Sequence, residues 1–177
     1  MATKQDFKSI IRRFEVYNAG ILYVRKRSKK FKIAFKIIKK YQDLFDKVVW
    51  IAPIRTLNSP EYCNDLKTCA GRMAKKLNCF AVENISINDE KYLELYNLAT
   101  DNRIFCVVDD GLLIKNTTAG KTKRILAMKD KFDFRLIMSD APLAQSISDL
   151  YAQMEFIDSS ILKMTEMQFL HNYMNIY

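Results

Sequence analysis

The chain has 177 residues, 49% of them hydrophobic, and a formal charge of +9 from 29 basic and 20 acidic side chains. With only four Gly and three Pro it has no flexible linker or low-complexity tract, and no apolar run approaches the roughly 20 residues that cross a bilayer. These features predict one soluble, cytoplasmic domain over residues 1–177, with a basic N-terminal segment 1–40. The charge is uneven. Residues 1–40 hold 13 basic and 2 acidic side chains, and residues 41–177 hold 16 and 18. Nine of the sixteen residues 25–40 are Lys or Arg and none is acidic, and a cluster of this kind attracts polyanions.

In chain order, Gly20–Val24 reads as a strand running into the basic cluster. A helix over Lys30–Phe45 follows, with Lys29, Lys32, Lys36 and Lys40 recurring along one exposed stripe. Lys47–Pro53 reads as a strand, Glu61–Leu77 as a helix and Asn78–Val82 as a short strand. Asn88–Ala99 is then a helix with Leu93, Leu95 and Tyr96 inward. Arg103–Asp110, almost continuously apolar and closing on two carboxylates, is the clearest buried strand. Thr118–Lys129 is helical, Phe134–Ser139 a strand, Leu143–Phe156 a helix, and Thr165–Tyr173 a last helical segment. The alternation predicts an α/β, Rossmann-like (RecA-like) and mostly parallel sheet with helices on both faces. Ligands of such sheets bind beyond the carboxyl ends of the strands. That edge would gather Arg25–Lys30, the loop after Pro53, Glu83, Asp109-Asp110 and Ser139-Asp140.

Cys63, Cys69, Cys79 and Cys106 form no C-x-x-C pair, and His171 is the sole histidine. The spacing supplies no zinc site and implies reduced structural thiols, with Cys79 and Cys106 in buried strands and His171 on the surface. No metal or cofactor is called for.

From Lys47 onward the pieces resemble the first RecA-like lobe of Swi/Snf-type helicase-like ATPases. Val48-Val-Trp-Ile-Ala-Pro53 looks like that family's strand ending in Ala-Pro. Val107-Val-Asp-Asp-Gly-Leu-Leu-Ile-Lys-Asn116 looks like its Asp-Glu-Ala-His box followed by Ile-Lys-Asn. Arg135-Leu-Ile-Met-Ser-Asp-Ala-Pro142 is similar to its Leu-Thr-Gly-Thr-Pro motif, and Asp149–Asp158 matches the segment that follows. The resemblance covers roughly residues 20–177, and its order and spacing are more specific than any single motif.

The resemblance also implies that the chemistry is lost. Arg27-Ser-Lys-Lys-Phe31 stands where a P-loop would be, without a glycine, and with Phe31 at the position of the metal-binding hydroxyl. Lys30 is left to stand as the P-loop lysine does. Asp109 is kept, Asp110 replaces the water-activating Glu, and Gly111-Leu112 replaces Ala-His. The chain also holds one lobe only. Phosphoryl transfer needs these parts together, so ATP hydrolysis is not expected.

Three functions follow as expectations. The first is a non-catalytic protein that binds RNA, DNA or a nucleoprotein complex. Arg25, Lys26, Arg27, Lys29, Lys30, Lys32, Lys36 and Lys40 would contact phosphates, and Tyr17 and Tyr23, close in sequence, would stack on bases unless they are core residues, the commoner role of tyrosine at such positions. By analogy with small proteins related to phage and mobile-element helicases, its role would be to inhibit a host defence system, such as a CRISPR effector nuclease, through its guide RNA or nucleic-acid channel. The second is a metal-dependent nuclease using Asp109, Asp110 and Asp140. The third is an oligomeric interaction module, compatible with a homodimer, using the tail Met164, Met167, Phe169, Leu170, Tyr173, Met174 and Tyr177.

Overall fold

The computed structural model describes residues 14–24, 27–141 and 147–174, with the side chains of 27–29 left aside. Arg25, Lys26, Pro142, the start of the helix expected from Leu143, and Tyr177 lie outside the described residues, as do the side chains of Arg27 and Lys29. Five strands form the sheet: β1 (Ala19–Tyr23), β2 (Lys47–Ala52), β3 (Leu77–Ala81), β4 (Ile104–Asp109) and β5 (Phe134–Ser139). All neighbours are parallel, in the order β1-β5-β4-β2-β3. This is the α/β Rossmann-like arrangement that the alternating pattern predicts.

Both faces are covered, which is why β4 is apolar at every position before Asp109. On one face helix α1 (Arg27–Lys40), the four-residue helix α2 (Ile54–Leu57) and helix α3 (Pro60–Ala70) pack over a core that includes Phe31, Phe35, Trp50, Tyr62, Phe105 and Leu136. On the other lie α4 (Val82–Ile87), α5 (Asp89–Asp101), α6 (Gly120–Ala127) and α7 (Asp149–Ile157), over Val49, Ile51, Leu95, Val108, Ile125 and Phe156. A last helix, α8 (Glu166–Met174), rests Phe169 against Tyr151, ring centroids 5.5 Å apart. Among the described residues no helix is long and apolar enough to cross a membrane.

The structure departs from the expected elements in several places. Helix α1 ends at Lys40, and a turn at residues 41–43 lets Phe45 fold back beneath Phe105 and Phe134. The helix expected to reach Leu77 breaks at Gly71, whose φ of 57° is a left-handed conformation open to glycine, and continues as a 3-10 turn over Gly71–Lys76. Helices α2 and α4 carry no periodic signal, being four and six residues long. In α5 the buried residues are Leu95 and Ala99. Leu93 and Tyr96 are 54% and 38% exposed, since Leu95 and Ala99 are the residues that pack into the core, and Asn88 caps the helix through the Lys91 N–H (3.1 Å). The Lys131 ammonium covers the Tyr96 ring at 4.2 Å. Cys79 is exposed because β3 is a sheet edge, whereas Cys106 is buried as expected. His171 is exposed. Of the C-terminal aromatic and Met-rich stretch, Phe169 is buried while Met167 and Tyr173 face solvent.

Candidate functional site

The carboxyl ends of β2, β4 and β5 open on a cleft of ≈ 360 Å³ that includes Lys30, Arg55, Tyr62, Asp109, Asp110 and Asp140. Lys30, in the first turn of α1, turns inward beside the buried Phe31 and is 6% exposed. Its Nζ lies 2.9 Å from Asp109 Oδ1 at the end of β4 and 3.1 Å from Asp140 Oδ1 just after β5. The other Asp109 oxygen accepts a hydrogen bond from the Tyr62 hydroxyl (2.6 Å), and the Tyr62 oxygen accepts one from Trp50 Nε1 (2.8 Å). Trp50, Tyr62, Asp109 and Lys30 thus form one buried chain across β2, α3, β4 and α1, every link of it satisfied.

The electrostatics follow from burial. Burial raises the Asp109 carboxyl above the ordinary carboxylate range, and Lys30 and the Tyr62 hydrogen bond offset part of the rise. Burial alone would depress the Lys30 ammonium, but Asp109 and Asp140 outweigh it and hold Lys30 above its ordinary value. Burial and Asp109 push the Tyr62 phenol well above its usual range, so it stays protonated and can donate. Tyr62→Phe strands the Trp50 N–H and one Asp109 oxygen. It is expected to cost about 1–3 kcal/mol of unfolding free energy, measured as a lower urea midpoint with native far-UV circular dichroism; an unchanged midpoint would show that the relay carries no stability.

Asp110, joined to Asp109 by a cis peptide, is directed elsewhere. Its carboxylate accepts from the Leu112 N–H (3.2 Å) and faces the Ser139 hydroxyl, which also lies 2.7 Å from the Ala141 carbonyl. Gly111 follows in a tight space, where an added Cβ would come within 2.6 Å of Ile137 Cγ2. Glu83 stands apart from the aspartates and accepts the Ile54 N–H (2.8 Å) at the start of α2. Among the described residues no group of three or more His, Cys, Asp and Glu is arranged to hold a metal ion. Asp109 and Asp140 meet around the Lys30 ammonium, and Asp110 caps the turn beyond.

The eight expected phosphate contacts therefore divide. Lys30 is buried in the cleft. Lys32, Lys36 and Lys40 are exposed along α1, as is Lys39, while Phe31, Phe35 and Ile38 of the same helix are in the core. Lys40 bridges Glu15, and Lys39 donates to the Cys69 carbonyl (3.4 Å). Arg25 and Lys26, and the side chains of Arg27 and Lys29, lie outside the described residues. Of the residues that shape the cleft, the sequence pattern did not single out Trp50 and Tyr62, while Arg55 falls just after Pro53, in the stretch expected at this edge. Tyr62 occupies an apolar position of an amphipathic helix, and nothing in its spacing marks the hydroxyl as an acceptor for Trp50 and a donor to Asp109.

The segment Ile114-Lys115-Asn116 is tied to the far side of the fold. Lys115 Nζ lies 3.7 Å from the buried Asp149, and the neighbouring Thr117 hydroxyl bonds Glu166 of α8 (2.6 Å). No protein-family model matches this sequence, and no curated protein is significantly similar to it.

Proposed function

We propose that this chain is a non-catalytic nucleic-acid- or nucleoprotein-binding protein built on a helicase-like lobe whose nucleotide position has been closed from within. The observation that carries the reading is the division of the basic stretch. Lys30 is held by Asp109 and Asp140 at the mouth of the sheet, while Lys32, Lys36, Lys39 and Lys40 are exposed along α1, the helix that follows Arg25-Lys26 in the sequence. Among the described side chains the charged lining of the cleft is Lys30 and Arg55 with Asp109, Asp110 and Asp140, Lys30 is already engaged by two of those carboxylates, and no glycine between Val24 and Phe31 offers a backbone cradle. An exposed cationic face instead suits a polyanion bound through its backbone, with displacement of counterions.

A role against a host defence nuclease is one biological setting for such a protein. Its test follows the same binding, with an RNA-guided nuclease complex as an additional ligand.

The experiment is binding to labelled single- and double-stranded RNA and DNA across a salt series, with Arg25, Lys26 and Lys32 reversed to Glu. None of the three belongs to the buried Lys30 chain described above. Wild-type affinity should fall steeply with salt. If all three residues contact duplex phosphates, the reversed protein should lose about 2.7 from the magnitude of the log–log slope, at about 0.9 per contact. Wild-type protein that binds none of the four nucleic acids, or a variant that binds as tightly as wild type, would refute the reading.

A further inference from the structure

The 3-10 turn Gly71–Lys76 carries Arg72, Lys75 and Lys76 and no acidic side chain, and the fold sets it against the basic helix α1. In a helix of three residues per turn, positions three apart share a side. Met73 and Lys76 take the inner side. Met73 is buried in the core, and Lys76 donates to the Gln42 and Phe45 carbonyls (2.8 and 2.9 Å), just beyond the end of α1. Arg72 and Lys75 take the outer side, and both are exposed. Helix α1 borders the same turn. Lys39 donates to the Cys69 carbonyl, and its ammonium lies 3.9 Å from where a Cβ on Gly71 would stand, one residue before Arg72. Burial raises the Cys69 thiol, Lys32 and Lys39 offset part of the rise, and Asp65 adds to it. Lys32 and Lys39, about two helical turns apart, thus both border the end of α3, with Asp65 as the carboxylate between. Lys40 is turned the other way, to Glu15.

We propose that the nucleic-acid interface crosses α1 sideways, from Lys32 and Lys39 onto Arg72 and Lys75, and that these four side chains hold one sugar-phosphate backbone. The placement rests on the nucleic-acid reading of the exposed face and adds two contacts from outside residues 25–40. Among the described residues Lys32, Arg72 and Lys75 are in no ion pair, so their charge is available to a partner.

The chemistry selects a polymer of phosphodiesters. A single small anion needs donors that converge on it, whereas an exposed row of cations suits successive charges laid along it, with release of their counterions. The lysines supply point charges, and the Arg72 guanidinium can take a phosphate through two parallel N–H bonds. Lys39 spends one N–H on the Cys69 carbonyl and keeps two for a ligand. The lysine–carbonyl bonds of Lys39 and Lys76 tie the turn to α1 before any ligand arrives, so binding has less backbone to order. The sequence hides this surface, because its two halves are joined only by the packing of α3 on α1.

The test is duplex DNA and RNA binding across a salt series by the double variant Arg72→Glu, Lys75→Glu. Its charge-matched control is Lys121→Glu, Lys123→Glu on α6, over the other face of the sheet. Reversal at two phosphate contacts should take about 1.8 from the magnitude of the log–log slope, at about 0.9 per contact, and the control should keep the wild-type slope. A wild-type slope in Arg72→Glu, Lys75→Glu, beside a lowered slope in the protein reversed at Arg25, Lys26 and Lys32, overturns this placement and leaves the nucleic-acid reading standing. Equal losses in the two pairs also overturn it, since net charge alone then accounts for them. Wild type that binds neither nucleic acid overturns both and leaves the surface to an acidic protein. Acetylation of wild-type lysines, read by mass spectrometry, gives an answer even if the variant fails to fold. Bound duplex should slow the modification of Lys32 and Lys75 and leave Lys123 unchanged; a Lys75 that reacts equally fast with and without duplex overturns the proposal.

Discussion

Asp109→Ala is expected to lower the unfolding free energy by about 3–5 kcal/mol, the range for removing one partner of a buried ion pair. The side chains of Lys30 and Asp109 are 8% and 4% exposed, so truncating Asp109 leaves an ammonium out of water with Asp140 as its remaining carboxylate, and Asp140 is 60% exposed. The Tyr62 hydroxyl loses its acceptor in the same step. The double variant Lys30→Met, Asp109→Asn removes both charges and keeps an oxygen for Tyr62. It should fall within about 1–2 kcal/mol of wild type, because a buried pair as a whole adds little over a well-packed neutral one.

Trp50, the only tryptophan and the head of the hydrogen-bonded chain, reports the denaturation directly. The pH dependence has a definite sign. Lys30 is raised above the ordinary 10.5, so its contribution is fully present below that value and is lost as pH rises through the higher folded value. A cost below about 1 kcal/mol for Asp109→Ala would mean that Lys30 does not depend on this carboxylate. The consequence for function is practical. Loss of activity in Asp109→Ala says nothing about catalysis until the protein is shown to be folded, and the neutral double variant separates a nuclease from a scaffold.

The strands were legible because each is a short apolar run closed by a polar or turn residue, and Phe134–Ser139 falls where the pattern puts it. Strand order was not, because parallel strands buried on both faces look alike and their neighbours are chosen by crossover packing. Adjacent apolar residues in α5 posed a similar ambiguity. Leu93, Leu95 and Tyr96 are all plausible inward positions until packing of Leu95 and Ala99 into the core sets the phase. In the basic stretch the sequence allowed Lys30 either role, phosphate contact or P-loop-like lysine. The structure sends it inward because it precedes Phe31, whose burial fixes the orientation of the first turn of α1. The relay through Tyr62 was invisible, since a tyrosine on an apolar stripe is first of all a core residue.

Phe31→Thr is the second substitution expected to be costly, at about 3–5 kcal/mol, the range for truncating a buried aromatic side chain. It also tests whether the cleft is a nucleotide site one side chain short of function. Phe31 is fully buried and meets Trp50 and Tyr62 edge-on, with centroids 5.6 and 5.1 Å away. Threonine at this position leaves a void against two rings and sets a hydroxyl in an apolar wall, where a metal-bound phosphate has no cradle. The aspartates of the cleft and the engaged Lys30 remain unchanged. Isothermal titration of magnesium and ATP into wild type and Phe31→Thr should therefore register no binding, while the variant's denaturation midpoint drops. Its nucleic-acid affinity should hold under native conditions, because Lys32, Lys36 and Lys40 lie on the opposite, exposed side of α1. ATP binding by either protein would show that the cleft still accepts a nucleotide despite Lys30, and the closure argument would fail. Loss of nucleic-acid binding in a folded Phe31→Thr would instead place the polyanion in the cleft, against the exposed-face reading.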